Sequence, residues 1–124
     1  MTATRAARWL PVVFWAGLIF TFSSIPALGT GLGTWDLVLR KLAHFTEYAI
    51  FGWLIMRALR DTRGWQLHHA LMAVALAGTY AVSDELHQVF VPGRTAAFGD
   101  VVIDTLGAAT AQVLIAIGWF RRRR

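Results

Sequence analysis

Apolar residues occupy four long runs, separated by short polar or glycine-rich breaks. The runs cover about 8–25, 35–59, 67–91 and 98–120. A helix needs roughly 20 residues to cross a hydrocarbon core of ~30 Å, and runs two to four meet that length. Run one, "RWLPVVFWAGLIFTFSSI", is short and calls for tilt or snorkelling ends. In lipid, backbone groups must pair within their own segment, so such runs are helices rather than strands. The expected fold is therefore all-α: one domain over 1–124, a compact bundle of four transmembrane helices.

Composition supports this pattern. The chain has 124 residues, 56% hydrophobic and 15% charged, against about 25% charged in a soluble domain. No cysteine is present, which excludes disulfides and thiolate metal sites. The net charge of +5 is not a nucleic-acid signature, because the cations stand between the apolar runs and in the terminal "RRRR". Arg5 and Arg8 precede run one, Arg57, Arg60 and Arg63 surround the second connection, and Arg121–Arg124 follow run four. The first connection, "PALGTGLGT", carries no charge. The positive-inside rule then places both termini and the middle connection in the cytoplasm, and the connection holding Thr95 outside. A cleaved signal peptide is the rival reading of run one, but its bulky aromatics, Pro26 and Leu28 fit a cleavage site poorly, so a retained helix is expected. Most tryptophans lie near run ends, as an aromatic belt requires.

The polar residues inside the runs are not scattered. Arg40, Lys41, His44 and Glu47 lie in the first half of run two. At about 100° per residue, Arg40, His44 and Glu47 share one face. Tyr80, Asp84, His87 and Gln88 share a face near the end of run three, with Glu85 pointing about 100° away from Asp84. Asp100 and Asp104 share a face at the start of run four, and Gly107 and Ala111 continue it as a small-residue contact strip. With alternating topology all these groups meet at the outer level, joined by Ser23 and Ser24 from run one. Intramembrane ionisable groups are costly and mark a functional site by default.

Five of the seven acids (Glu47, Asp84, Glu85, Asp100, Asp104) face three cations (Arg40, Lys41, Arg94), an excess of two negative charges. Either carboxylates or histidines hold protons, or a divalent cation supplies the balance. His44-x-x-Glu47 and Asp84-x-x-His87 have helical spacing for metal ligation from facing helices. The plain alternative is a structural polar network that pins the helices together. In "VPGR", Pro92 ends helix three and Gly93 permits a positive-φ turn, which throws Arg94 back toward Asp84, Asp100 or an anionic headgroup. Asp100 could equally cap the fourth helix.

The segments "FSSIP", "RKLAHFTEYAIFG", "DELHQVFVPGR" and "GDVVIDTLGA" resemble the VanZ-like membrane proteins, from Phe22 to Ala111. That family takes its name from a protein that lowers susceptibility to the glycopeptide teicoplanin. The resemblance implies a small multi-helix membrane protein acting near cell-envelope lipid chemistry. The motif positions it matches are His44, Glu85, Gln88, Arg94, Asp100 and Gly107. Asp104 stands where many members resemble an Asn, and Ala111 where a second Gly is common. Three functions compete. In the first, an enzyme acts on a lipid-linked phosphate, with His44, Glu47, Asp84, Glu85, His87, Gln88 and Asp104 as candidate catalytic groups and Arg40, Arg94 and Asp100 holding substrate. In the second, a non-catalytic protein binds membrane lipids or lipid-linked cell-wall precursors. In the third, a proton-coupled lipid transporter uses the acids and histidines as a relay.

Overall fold

The computed structural model describes residues 2–26, 33–94 and 96–124. Leu28, most of the uncharged first connection, and Thr95 lie outside the described residues. The described residues form four helices and no strand: α1 (Thr2–Ser23), α2 (Thr34–Leu59), α3 (Leu67–Gln88) and α4 (Phe98–Arg121). All four match the expected runs, with two boundaries moved. α1 starts at Thr2 rather than near Arg8, so it has 22 residues and is ~33 Å long at 1.5 Å each. Pro11 therefore lies inside α1, not near its start. α3 ends at Gln88, three residues short of the apolar run, because the chain already turns over Val89–Val91, before Pro92 is reached. Gly93 adopts φ 75°, the left-handed conformation the turn requires.

α1 and α4 contain stretches, Thr4–Ser23 and Phe98–Arg121, long and apolar enough to cross a membrane. α2 and α3 are as long but more polar. α2 carries Asp36, Arg40 and Lys41 in its first half and Glu47 at its middle, and α3 carries His68–His69 in its first turn and Asp84–Glu85 near its end.

Side-chain pairings give the helix directions. Arg8 bonds to the Arg60 carbonyl and Trp15 to the Glu47 carbonyl, so α1 and α2 are antiparallel. Tyr80 bonds to the Ala16 carbonyl, and α3 ends beside the end of α1. α4 runs alongside α2 in the same direction, joined by His44–Asp104 and Gln112–Gly52. α1 and α3 thus finish at the end where α2 and α4 begin. This is the polar end; the opposite end carries Arg5, Arg8, Arg57, Arg60 and the terminal arginines.

The α2–α4 contact is the most extensive in the bundle. A Cβ on Gly107 would stand 2.3 Å from the Phe45 carbonyl oxygen, and one on Gly52 would stand 2.9 Å from the Ala108 Cα. These two glycines let the backbones touch, as small residues do between membrane helices. α3 presents Ala73, Ala77 and Ala81, all fully buried, at the four-residue spacing of one helix face. Tyr48, Phe51, Ile55 and Ile19 fill the remaining interior.

Gly107→Ala should lower the free energy of unfolding in detergent by about 1–3 kcal/mol, because the added methyl group meets backbone rather than a side chain that can move. Gly99→Ala, with nothing within 4 Å of the new Cβ, should instead raise it, by about 0.4–1 kcal/mol, because alanine loses less backbone entropy in a helix. Denaturant titration of the two variants checks both.

Candidate functional site

The polar end assembles around Asp84, which is 4% exposed. Its Oδ1 accepts a short hydrogen bond from the Ser23 hydroxyl at the end of α1. Its Oδ2 accepts one from the Tyr48 hydroxyl of α2, at 3.4 Å. Gln88, one turn further along α3, donates its Nε2 to the same Ser23 oxygen at 3.3 Å. A carboxylate, a phenol, a hydroxyl and an amide from three helices thus satisfy one another, as buried polar groups must.

His44 of α2 and Asp104 of α4 complete the interior. His44 Nδ1 and Asp104 Oδ1 are 3.1 Å apart, and Asp104 is fully buried. Its other oxygen, Oδ2, is buried with no hydrogen-bond partner among the described residues. One ring nitrogen of His44 and one oxygen each of Asp84 and Asp104 lie within 4.8 Å of one another.

The structure distributes the other sequence-predicted groups more widely. Glu47 shares a small cavity, about 110 Å³, with Arg40 and His44, as their common helix face requires. Phe22, Ser23, Ala43 and Arg94 complete its lining. His87 turns to α1: its Nε2 lies 3.0 Å from the Ser24 hydroxyl, and its ring stacks on Phe20 at 4.4 Å. The Asp84-x-x-His87 spacing therefore does not bring its two side chains to one point. Asp100 pairs with Lys41 at 2.5 Å, which ties the starts of α2 and α4. Arg40 reaches Asp36 at 3.6 Å on the surface, a weak exposed pair.

Two residues make contacts that periodicity alone did not specify. Arg94 reaches neither Asp84 nor Asp100. Its Nε and a terminal nitrogen donate to the carbonyls of Ile25 and Phe22, each at 3.0 Å. The end of α1 leaves carbonyls without intrahelical donors, and a cation there also complements the helix dipole. Glu85 faces away from the cluster, as periodicity requires. Its Oε2 accepts the backbone N–H of Ala97, the residue that opens α4, at 2.9 Å. A glutamate of the preceding helix thus meets a donor that in a capping box is met from within the helix itself. The Oε1 of Glu85 is buried without a partner among the described residues.

Tyr48 and Gln112 were not legible as polar contributors. Tyr48 is fully buried and reads in the sequence as one more aromatic of α2. Gln112 donates its Nε2 to the Gly52 carbonyl at 2.9 Å, a bond that depends on how closely α2 and α4 approach. Its position four residues after Ala108 on the contact strip was the available signal.

The sequence model of VanZ/LLP1 matches residues 3–120. The chain belongs to the VanZ/LLP1 family. The match covers nearly all of the four helices and every group of the polar end, so the assembly just described is the VanZ/LLP1 domain of this chain. No curated protein and no solved structure is detectably similar to it.

Glu85→Ala should lower thermal stability, because it leaves the Ala97 N–H unmet; the lost bond to a charged acceptor corresponds to about 1.5–3 kcal/mol. Glu85→Gln keeps an acceptor oxygen and should recover most of that loss. Melting curves of the two variants in one detergent test the capping role.

Proposed function

We propose that this chain is a four-span protein of the cell membrane, with both termini cytoplasmic, that binds a phosphate-bearing anionic lipid headgroup in the outer leaflet. Its inverted polarity supports four spans rather than two. Large apolar side chains are exposed on all four helices: Leu10 and Phe14 on α1, Leu39 and Leu42 on α2, Leu71 and Leu86 on α3, Leu106 and Leu114 on α4. Ser23, His44, Asp84, Glu85, Gln88, Asp104 and Gln112 are buried instead. A monomer in water rarely exposes so continuous an apolar surface; in hydrocarbon it is what each helix requires. The arginines gathered at the opposite end favour the cytoplasmic placement of that end.

The observation that carries the headgroup reading is the cavity between the end of α1 and the start of α2. Two arginines, Arg40 and Arg94, line it beside His44 and Ser23. Guanidinium groups match phosphate geometry and hold it by charge-assisted hydrogen bonds. Arg94 is held in place by the α1 carbonyls, so its position is set before any ligand arrives. A volume of about 110 Å³ suits a phosphate rather than a whole headgroup, so the remainder must project outward. Lipid-linked cell-envelope intermediates carry the same group and would meet the same contacts. Glu47 at the cavity wall is the group placed to exchange a proton with a bound phosphate.

Arg40→Ala is the discriminating variant, since its pair with Asp36 is exposed and dispensable. Native mass spectrometry should show several-fold fewer retained phosphatidylglycerol molecules than in the parent protein, with phosphatidylcholine retention unchanged. An unaltered phosphatidylglycerol preference would leave the polar end as a structural network only.

The topology has its own check, helped by the absence of native cysteine. Gly99→Cys should react with a membrane-impermeant maleimide in cells whose inner membrane is intact. Thr62→Cys should react only after that membrane is opened.

A further inference from the structure

We propose that His44, Asp84 and Asp104 form a binding site for a divalent transition-metal cation. The three side chains come from three helices, and one ligand atom from each lies within 4.8 Å of the other two. His44 Nδ1 and Asp104 Oδ1 are 3.1 Å apart. Two ligands each about 2.1 Å from a common ion stand roughly 3.0–3.4 Å apart at right-angled to tetrahedral geometry. That pair already has the separation an ion needs, and the Asp84 oxygen, within 4.8 Å of both, has to close by no more than about 1.4–1.8 Å.

Charge points the same way. Asp84 and Asp104 are buried side by side, and the ion pairs among the described residues give them no Lys or Arg partner. Lys41 pairs with Asp100, Arg94 is bonded to the carbonyls of α1, and Arg40 lies at the surface, where its ion-pair partner is Asp36. The donors to Asp84, Ser23 and Tyr48, are neutral. A charged His44 would balance one of two carboxylates at most, and Glu47 beside it adds a third acid. A divalent cation with a neutral imidazole balances Asp84 and Asp104 in full, and burial makes that balance count.

An independent observation marks a missing partner. Asp104 Oδ2 is fully buried, on a side chain with no exposed surface, and has no hydrogen-bond donor among the described residues. A carboxylate oxygen in that position costs free energy unless a donor or a cation meets it. The surroundings also suit a ligand set, because Ser23 and Tyr48 hold Asp84 in orientation, as outer groups hold metal ligands. One imidazole and two carboxylates favour zinc, manganese or ferrous iron over calcium or magnesium, which take oxygen alone, and over cuprous copper, which prefers sulfur. His44 and Ser23 also line the Arg40–Arg94 cavity, so open coordination positions would face it. The inference does not rest on lipid binding.

The test uses the full chain in detergent, stripped with chelator and then titrated with zinc or manganese. Elemental analysis after desalting should find about one ion per chain. His44→Gln and Asp104→Asn should each weaken binding at least tenfold, while Arg63→Ala, at the opposite end of the bundle, leaves it unchanged. If those variants do not fold, the parent protein still decides the matter. Electron spin-echo modulation of bound manganese should show one histidine nitrogen, and the signal should persist when His68 and His69 are both replaced by Gln. Less than a tenth of an ion per chain, or a nitrogen signal lost with His68 and His69, overturns the site. Metal binding with no lipid preference would sink only the headgroup reading, and the reverse result only this one.

Discussion

The carboxylate of Asp84 has to be buried and has to be satisfied, and three helices are arranged so that both hold. Ser23 reaches it from α1 and Tyr48 from α2, while Asp84 itself belongs to α3. Displacing any one of these helices would leave a buried acceptor unmet, at a cost comparable to a substantial part of a small domain's stability. The remaining polar contacts extend this join. Gln88 doubles the link to Ser23, and His44 with Asp104 extends it to α4. The polar end is therefore where the bundle is locked, whatever it also binds.

The α2–α4 contact answers a different constraint. On the proposed four-span reading the surroundings are lipid tails as apolar as leucine, and helices gain little there by burying leucine against each other. Close backbone approach and hydrogen bonds supply the cohesion instead. Gly52 and Gly107 permit the approach, and Gln112 converts it into a bond to a carbonyl that no longer-range contact could reach. The large apolar side chains are left to face outward. Bulky exterior, small and polar interior is one design decision seen from two sides.

Much of this was legible beforehand. Apolar runs located all four helices, and periodicity placed Arg40, His44 and Glu47 on one wall. The resemblance of the motifs to VanZ-like proteins agrees with the family match. The failures share a cause. His87 shares a face with Asp84, yet α1 lies close enough to Ser24 and Phe20 to draw its ring aside. Arg94 follows a turn that does point back over the helices, but the bare carbonyls of α1 are nearer than any acid. Glu85 is a different case: its place off the shared face follows from periodicity, and the structure adds the contact it makes there, with the start of α4.

Taken alone, the sequence determined which segments are helical, which residues share a face, and that ionisable groups gather toward one level of the bundle. Those properties follow from chain-local periodicity and from the cost of polar groups in an apolar medium. Only the tertiary structure decided which helix each face meets. That choice depends on the rotation of one helix against another, set here by glycines and alanines that look alike in sequence. It separated two residues that keep helix ends satisfied, Glu85 and Arg94, from three that converge in the interior, His44, Asp84 and Asp104.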